Sequence, residues 1–441
     1  MTTPLVALQR PKDISLDEIE AELTAIWHSQ SHINSAATRA STFSMVVYEP
    51  EEFQQLLAVL GFYKCPIEGV LGPQTKEAIA LAQRAYGFPE TGRFDPETLA
   101  KLREEVAKLP PEQVKLTNED MRGTGISDAI AAQNPCRIIT LCPTWGVDEG
   151  VTAQVSAYCP VHKTGSNLIC SEYITLRGTK QALNRVGELV KSLMIPELPK
   201  FVWWKATPNP EQELFKQMVE SCNCIVMDSS YFVEPESEFL KIYSLIESGT
   251  YVADLNWHRL APWQEITAAT FDPPERRMSL IDIDEVAIDY EKGNDSQALM
   301  FLSWFASRLG WQPIAFHQDD DDFYEIMRIT FATPNGKNVN AELAAIPIAD
   351  PGEILGDLVG LRLSSSNPSA NCATIICSET AGCMRMESGG GAQATVRTEQ
   401  VTATNDQKAE LLLTQQLQRW GRDPLYEESM AIAVQALRLK V

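Results

Sequence analysis

Between Arg137 and Phe271, short apolar runs alternate with amphipathic stretches, and this alternation limits the fold more than any other feature of the chain. Arg137–Leu141, Val151–Tyr158, Asn167–Leu176, Phe201–Trp204 and Cys224–Met227 read as strands. Thr179–Met194, Pro210–Glu220, Leu240–Ile246 and Trp263–Phe271 read as helices. Strands apolar on both faces need cover on both, so the pattern predicts a mainly parallel sheet layered between helices. Upstream, Leu16, Ile19, Leu23 and Ile26 form an apolar stripe behind a capping box of Ser15 and Glu18, predicting a helix over 15–29. Thr42–Tyr48 reads as a strand of the same body.

From about residue 275 the pattern changes. A helix over Ser296–Leu309 precedes strand-like runs at Trp311–Phe316, Tyr324–Phe331, Glu342–Pro347, Val359–Ser364, Cys372–Cys377 and Ala394–Arg397. Ser388–Gly391 reads as a turn, and residues 406–438 as closing helices interrupted around Gly421–Pro424. Partial alternation predicts an antiparallel sheet. Residues 50–105 differ again, with three short helical stripes punctuated by Gly61, Gly69, Gly72, Gly87 and Gly92, and with Asp95-Pro96 as a helix start. The expected class is α/β: a mainly parallel-sheet α/β body followed by an α+β domain, with a small three-helix module near the N-terminus. The expected divisions are 1–49 (first helix and strand of the body), 50–105 (module), 106–120 (linker), 121–274 (α/β domain) and 275–441 (α+β domain).

The chain carries 37 basic and 59 acidic residues among 441, a formal charge of -22. Such a surface repels phosphate backbones and anionic lipid heads, which argues against nucleic-acid and membrane partners. No stretch reaches 18 apolar residues and no secretion signal is visible, so a cytoplasmic protein is expected, with most of its ten cysteines as buried thiols.

Few residue patterns in the chain carry recognisable chemistry. Asp282, Asp284 and Glu285, and the run Asp319–Asp322, lack the ligand ladder of a calcium loop. His28 and His32 have no intervening glutamate in the zinc-protease arrangement, and Cys159, His162 and Cys170 lack paired metal knuckles. No glycine-rich nucleotide fingerprint and no nucleophile elbow occurs, so no catalytic residue, metal or cofactor is expected. Asp228 follows an apolar strand, where α/β proteins place functional groups. Arg177 also follows a strand and could hold an anion. Trp203, Trp204, Trp257, Arg259 and Trp263 concentrate aromatic and guanidinium groups of the kind that dominate protein interfaces, though the same residues can build a core. These seven are the candidate partner-binding residues. Cys136, Cys142, Cys222, Cys224, Cys372, Cys377 and Cys383 are candidate redox residues, although none forms a C-x-x-C pair.

Two resemblances add to this reading. Phe53-Gln54-Gln55-Leu56-Leu57, Glu68-Gly69-Val70-Leu71-Gly72-Pro73-Gln74-Thr75 and Thr91-Gly92-Arg93-Phe94-Asp95-Pro96-Glu97-Thr98-Leu99 make the module similar to the peptidoglycan-binding-like family. With no export signal, a docking or spacer role is expected for it. Asn134-Pro135-Cys136-Arg137-Ile138-Ile139, Ile174-Thr175-Leu176-Arg177-Gly178, Ile195-Pro196-Glu197-Leu198-Pro199-Lys200-Phe201-Val202-Trp203-Trp204, Val226-Met227-Asp228-Ser229 and Asp254-Leu255-Asn256-Trp257-His258-Arg259-Leu260-Ala261-Pro262-Trp263, in that order, make the body resemble the cyanobacterial form of the OpcA family of glucose-6-phosphate dehydrogenase assembly proteins. That resemblance implies a non-catalytic partner that binds glucose-6-phosphate dehydrogenase and promotes its active oligomer in the oxidative pentose phosphate pathway. It also implies thioredoxin-linked redox control, assigned to no particular cysteine. The competing expectation is a cytosolic α/β enzyme that acts on a small phosphorylated metabolite through Asp228, Arg177 or Arg259.

Overall fold

The computed structural model describes residues 5–31, 37–39, 41–49, 52–63, 73–93, 95–109, 130, 134–160, 168–232, 234–320, 325–346, 357–367, 370–378, 383–390, 398–403, 409–419 and 421–440. The chain forms two compact units. The first comprises Met1–Met227, Thr250–Ala253 and Leu413–Trp420; the second comprises Asp228–Gly249, Asp254–Leu412 and Gly421–Val441.

The first unit is built on a sheet of strands β1 (Leu5–Ile14), β2 (Ala37–Arg39), β3 (Ser44–Tyr48), β4 (Arg137–Thr144), β5 (Thr152–Pro160), β6 (Leu168–Thr179), β7 (Lys200–Trp204), β8 (Cys224–Met227) and β9 (Val252–Asp254). Their order is β1-β5-β6-β4-β3-β7-β8-β9, with β2 on β6. Strands β3, β4, β6, β7 and β8 are mutually parallel, and β1 and β5 add an antiparallel edge. Every residue of β3 is buried, as a strand covered on both faces must be. From β6 to β9 the order corresponds to 3-2-1-4-5-6, that of doubly wound dinucleotide-binding folds.

Three local expectations change. Ser15 and Glu18 do not make a reciprocal capping box. The Ser15 hydroxyl meets the Glu18 carboxylate at 2.6 Å, and a 3-10 turn over Leu16–Glu18 leads into the helix Ile19–Ser31. The helix expected over Thr179–Met194 divides into Lys180–Asn184 and Gly187–Leu193, the first capped by Thr179, whose hydroxyl accepts from Ala182 N. Strand β1 is an addition to the expected elements, an edge strand paired antiparallel with β5.

Between β3 and β4 lie the three helices Glu52–Val59, Pro73–Tyr86 and Pro96–Ala107, around a core that includes Phe53, Leu57, Ile79, Ala82, Leu99 and Leu102. Asp95 caps the third helix as expected, accepting from Thr98 N at 2.7 Å. The Gln83 side-chain oxygen accepts from the N–H groups of Thr91 and Gly92 and so braces the preceding turn. Gly92 is required there. Its φ is +60°, and a Cβ would sit 3.2 Å from the Lys76 carbonyl oxygen.

The second unit carries strands β10 (Glu285–Glu291), β11 (Gln312–Asp320), β12 (Glu325–Ala332), β13 (Asn338–Ile346), β14 (Leu358–Ser364), β15 (Asn371–Ser378), β16 (Cys383–Gly390) and β17 (Thr398–Ala403), in the order β11-β12-β13-β10-β14-β15-β16-β17. All neighbouring pairs are antiparallel except β10 with β13. The helix Asp295–Leu309 packs on β10 and β13, and the helix Pro424–Leu437 packs on Asp295–Leu309 and β11. Ser388 lies inside β16, paired with Ala373 and Thr398, so the turn expected at Ser388–Gly391 is strand through Gly390. The strand expected at Ala394–Arg397 lies outside the described residues.

Candidate functional site

Strands β3 and β7 lie side by side and parallel, and the strand order reverses between them. In open α/β sheets this reversal creates the crevice where ligands bind. Here the final residues of the two strands, Tyr48 and Trp204, stack with ring centroids 3.9 Å apart and planes 7° from parallel. Of the residues that follow, buried Glu49 and half-buried Lys205 form an ion pair at 2.7 Å, and Lys205 Nζ also lies 5.1 Å from the centroid of Trp203. A dinucleotide site needs a glycine-rich turn after the first strand, with backbone N–H groups aimed at the pyrophosphate. The chain instead continues Glu49-Pro50-Glu51-Glu52, with three carboxylates and no glycine. Glu52 is itself held by Arg103 through paired hydrogen bonds of 2.8 and 2.5 Å. These residues do not fit a dinucleotide.

A second constellation begins with Asp228, directly after β8. Arg259 donates to it twice, Nη1 to Oδ1 at 2.8 Å and Nη2 to Oδ2 at 2.7 Å, and the Ser230 hydroxyl adds a third bond at 2.6 Å. Asp254 Oδ1 accepts from Ser229 N and Asn256 N, both at 2.9 Å, capping the short helix Leu255–Arg259. Asn256 reaches Asn294 and Gln297 at the start of the helix Asp295–Leu309, and Gln297 accepts from Leu358 N in β14. Trp257 Nε1 donates to Asp423, the N-cap of Pro424–Leu437, and Trp263 packs edge-on against Phe301. Each polar residue of the stretch Asp254–Trp263 that is named here therefore ties one element of this unit to another.

Burial sets the charges of this network. For Asp228, burial opposes ionisation, but the Arg259 guanidinium and the Ser230 hydrogen bonds more than offset it and hold the carboxyl below its usual range. For Asp254, burial dominates and the neighbouring Asp228 charge adds to it. The hydrogen bonds from Ser229 and Asn256 only partly oppose this, and the carboxyl is pushed up to about 6.

Six of the seven candidate partner-binding residues are thus interior. Trp203, Trp204, Asp228, Trp257, Arg259 and Trp263 are all at most 7% exposed. Their dense side-chain chemistry builds cores and inter-element ties. Arg177 stands apart from Asp228 and Arg259: it is half-buried at the end of β6, on the wall of a cavity in the first unit.

The acidic clusters also have structural partners. Asp282 accepts from Asn367 Nδ2 at 3.0 Å and faces Lys337, and Asp284 accepts from Ser366 N at 2.9 Å. Asp319 pairs with Arg328, while Asp321 and Asp322 lie outside the described residues. Among the described residues, no group of three His, Cys, Asp or Glu could hold a metal ion.

Residues 127–244 match the family described as the glucose-6-phosphate dehydrogenase subunit N-terminal domain, and residues 250–430 match the corresponding C-terminal domain. Residues 48–102 match a peptidoglycan binding domain. An OxPP cycle protein OpcA of Synechococcus elongatus is 54% identical over 439 residues, covering 99% of this chain and 98% of that protein. Its counterpart from Nostoc punctiforme is 53% identical over 448 residues, covering 99% and 96%. The chain belongs to the OpcA family. Among solved structures, UDP-N-acetylglucosamine 3-dehydrogenase GnnA of Acidithiobacillus ferrooxidans superposes on 59% of the chain and 86% of its own, at 10% identity and a TM-score of 0.34.

The cysteines of this OpcA-family chain depart from expectation. Cys159 and Cys170, set aside above as an incomplete metal knuckle, form a disulfide with Cα atoms 4.1 Å apart. They face each other across β5 and β6, one step beyond the pair Tyr158↔Ser171. His162 lies outside the described residues. Cys136, Cys142, Cys222, Cys224 and Cys372 are free thiols. Burial pushes the first three up to about 12, partly countered by a Ser171 hydrogen bond at Cys136 and by Arg177 at Cys142, and it raises Cys224 further still. Such thiols are poor nucleophiles. Cys377 and Cys383 sit on the adjacent strands β15 and β16, where Cys377 pairs with Met384 and Cys383 with Ser378; their side chains lie outside the described residues.

Proposed function

We propose that this chain is a non-catalytic partner of glucose-6-phosphate dehydrogenase that binds the enzyme and favours its assembled, active form, serving the oxidative pentose phosphate pathway in the cytoplasm. The observation that carries this reading is the family match. Two consecutive domains described as subunits of that dehydrogenase span most of the chain, and relatives above 50% identity share nearly its whole length. The site geometry supports a non-catalytic role. At the strand reversal Tyr48 and Trp204 stack, Glu49 pairs with Lys205 and no glycine-rich turn follows β3, while Asp228 and Arg259 bind each other.

The mechanism is linkage. A partner that binds the active assembly more tightly than the inactive form shifts the population without touching substrate. A tenfold preference requires only about 1.4 kcal/mol, which a few interface contacts supply. The helical module is read as a docking or spacer element of that interface. Redox control with thioredoxin as a second partner belongs to the same proposal, and the Cys159–Cys170 disulfide offers one reducible bond.

The test is complex formation with the dehydrogenase of the same organism, followed by light scattering on a sizing column in reducing and oxidising buffer. A species of defined stoichiometry containing both chains is expected, with redox state altering its amount. Independent elution in both buffers would overturn the reading.

A further inference from the structure

The first unit holds a cavity of about 950 Å³ between the third helix of the module and the carboxyl ends of β4 and β6. Ligand pockets of small metabolites are of this order, and in α/β sheets they open at the carboxyl ends of strands. Leu99 and Arg103 come from the module, Trp145 from the loop after β4, Arg177 from the end of β6 and Lys180 from the first position of the helix that follows it.

The wall is built to a fixed shape. In the loop after β4, Gly146 and Gly150 adopt φ of +129° and +94°. Asp148 pins that loop, accepting from Gly150 N at 3.0 Å and from both terminal nitrogens of Arg185 at 2.6 and 2.9 Å. Across from it, Gly178 lets the loop close in. A Cβ there would stand 2.8 Å from the Gly150 carbonyl oxygen, and that atom is backbone with no freedom to move away. Trp145 packs against the core of the module, so the insert and the sheet share this wall.

Its charge runs against the chain. The protein as a whole is at -22, yet this lining presents Arg103, Arg177 and Lys180 against the single carboxylate of Glu149. Arg103 is answered by Glu52. Arg177, half-buried, lines the cavity beside the gap left by Gly178. Leu99 and Trp145 add an apolar side to the same space. A guanidinium and an ammonium beside an aromatic wall suit a compact anionic head joined to a flat body.

We propose that this cavity is a binding site for a small organic phosphate, with Arg177 and Lys180 holding the phosphate and Trp145 with Leu99 covering the body. The test of this site needs no dehydrogenase, so its outcome is independent of the proposed function. The full chain is titrated by calorimetry with ATP and, separately, with inorganic pyrophosphate at constant ionic strength. Saturable one-to-one binding of at least one probe is expected. Binding of ATP alone would assign part of the affinity to the apolar wall, and equal binding of both would assign it to the phosphate head. Arg177→Gln should weaken binding by about tenfold or more, while Arg328→Gln, on β12 of the second unit and paired there with Glu342, should leave it unchanged. If Arg177→Gln fails to fold, Lys180→Gln takes its place with the same expectation. No saturation with either probe, or equal weakening by the lining and control variants, would overturn the proposal.

Discussion

At the scale of single residues, the network around Asp228 and Arg259 illustrates what a buried ion pair does. Removing one partner of such a pair typically costs about 3–5 kcal/mol, because the survivor stays buried and uncompensated. Asp254, a few residues before Arg259, is the opposite case: a buried carboxyl that has the negative charge of Asp228 beside it. Its folded pKa of about 6 lies above the unfolded value, so the folded state holds its proton more tightly in that window. Stability from this group is full below the unfolded pKa and declines as pH rises through the window, by about 3 kcal/mol in all. Asp254→Asn keeps an oxygen for Ser229 N and Asn256 N and removes the charge. The variant should match the parent near pH 4 and exceed it by about 2–3 kcal/mol near pH 7 in urea unfolding. A constant difference between variant and parent across that range would contradict the assignment.

At the scale of elements, much was legible in the chain and some was not. The module helices and the Asp95 cap could be read because their signals are local: proline at the first helical position, a capping carboxylate, and an apolar stripe. Strand β10 was missed because Asp282, Asp284 and Glu285 drew attention to ligation, although Val286, Ile288 and Tyr290 alternate into the core just after them. The Cys159–Cys170 disulfide depends on the register of β5 against β6, which no local pattern fixes. A signal was available, since two strand-like runs flanking a short connection bring cysteines at matching distances face to face. The aromatic stretch was equally ambiguous, because tryptophan serves cores and interfaces with the same chemistry. For the module, Leu81 is a large apolar residue 40% exposed on the helix Pro73–Tyr86. If the module docks onto the dehydrogenase through this face, Leu81→Glu should fold normally and weaken the complex by about tenfold in a binding titration. Unchanged affinity would remove this face from the interface.

At the scale of the whole molecule, an α/β unit with the strand order of a nucleotide-binding fold carries at its strand reversal an aromatic stack and an ion pair in place of a glycine-rich turn. Fold and function separate here, since function resides in the site and not in the sheet. An acidic chain whose dense motifs face inward is suited to act through its surface on another protein, and acidity can steer that encounter toward a basic face. The most direct test is the initial rate of the organism's own glucose-6-phosphate dehydrogenase at limiting substrate, measured as this chain is added. The account predicts a saturable rise that levels off at a fixed ratio of the two chains, with no turnover by this chain alone. A flat rate at every ratio, in reducing and oxidising buffer alike, would contradict it.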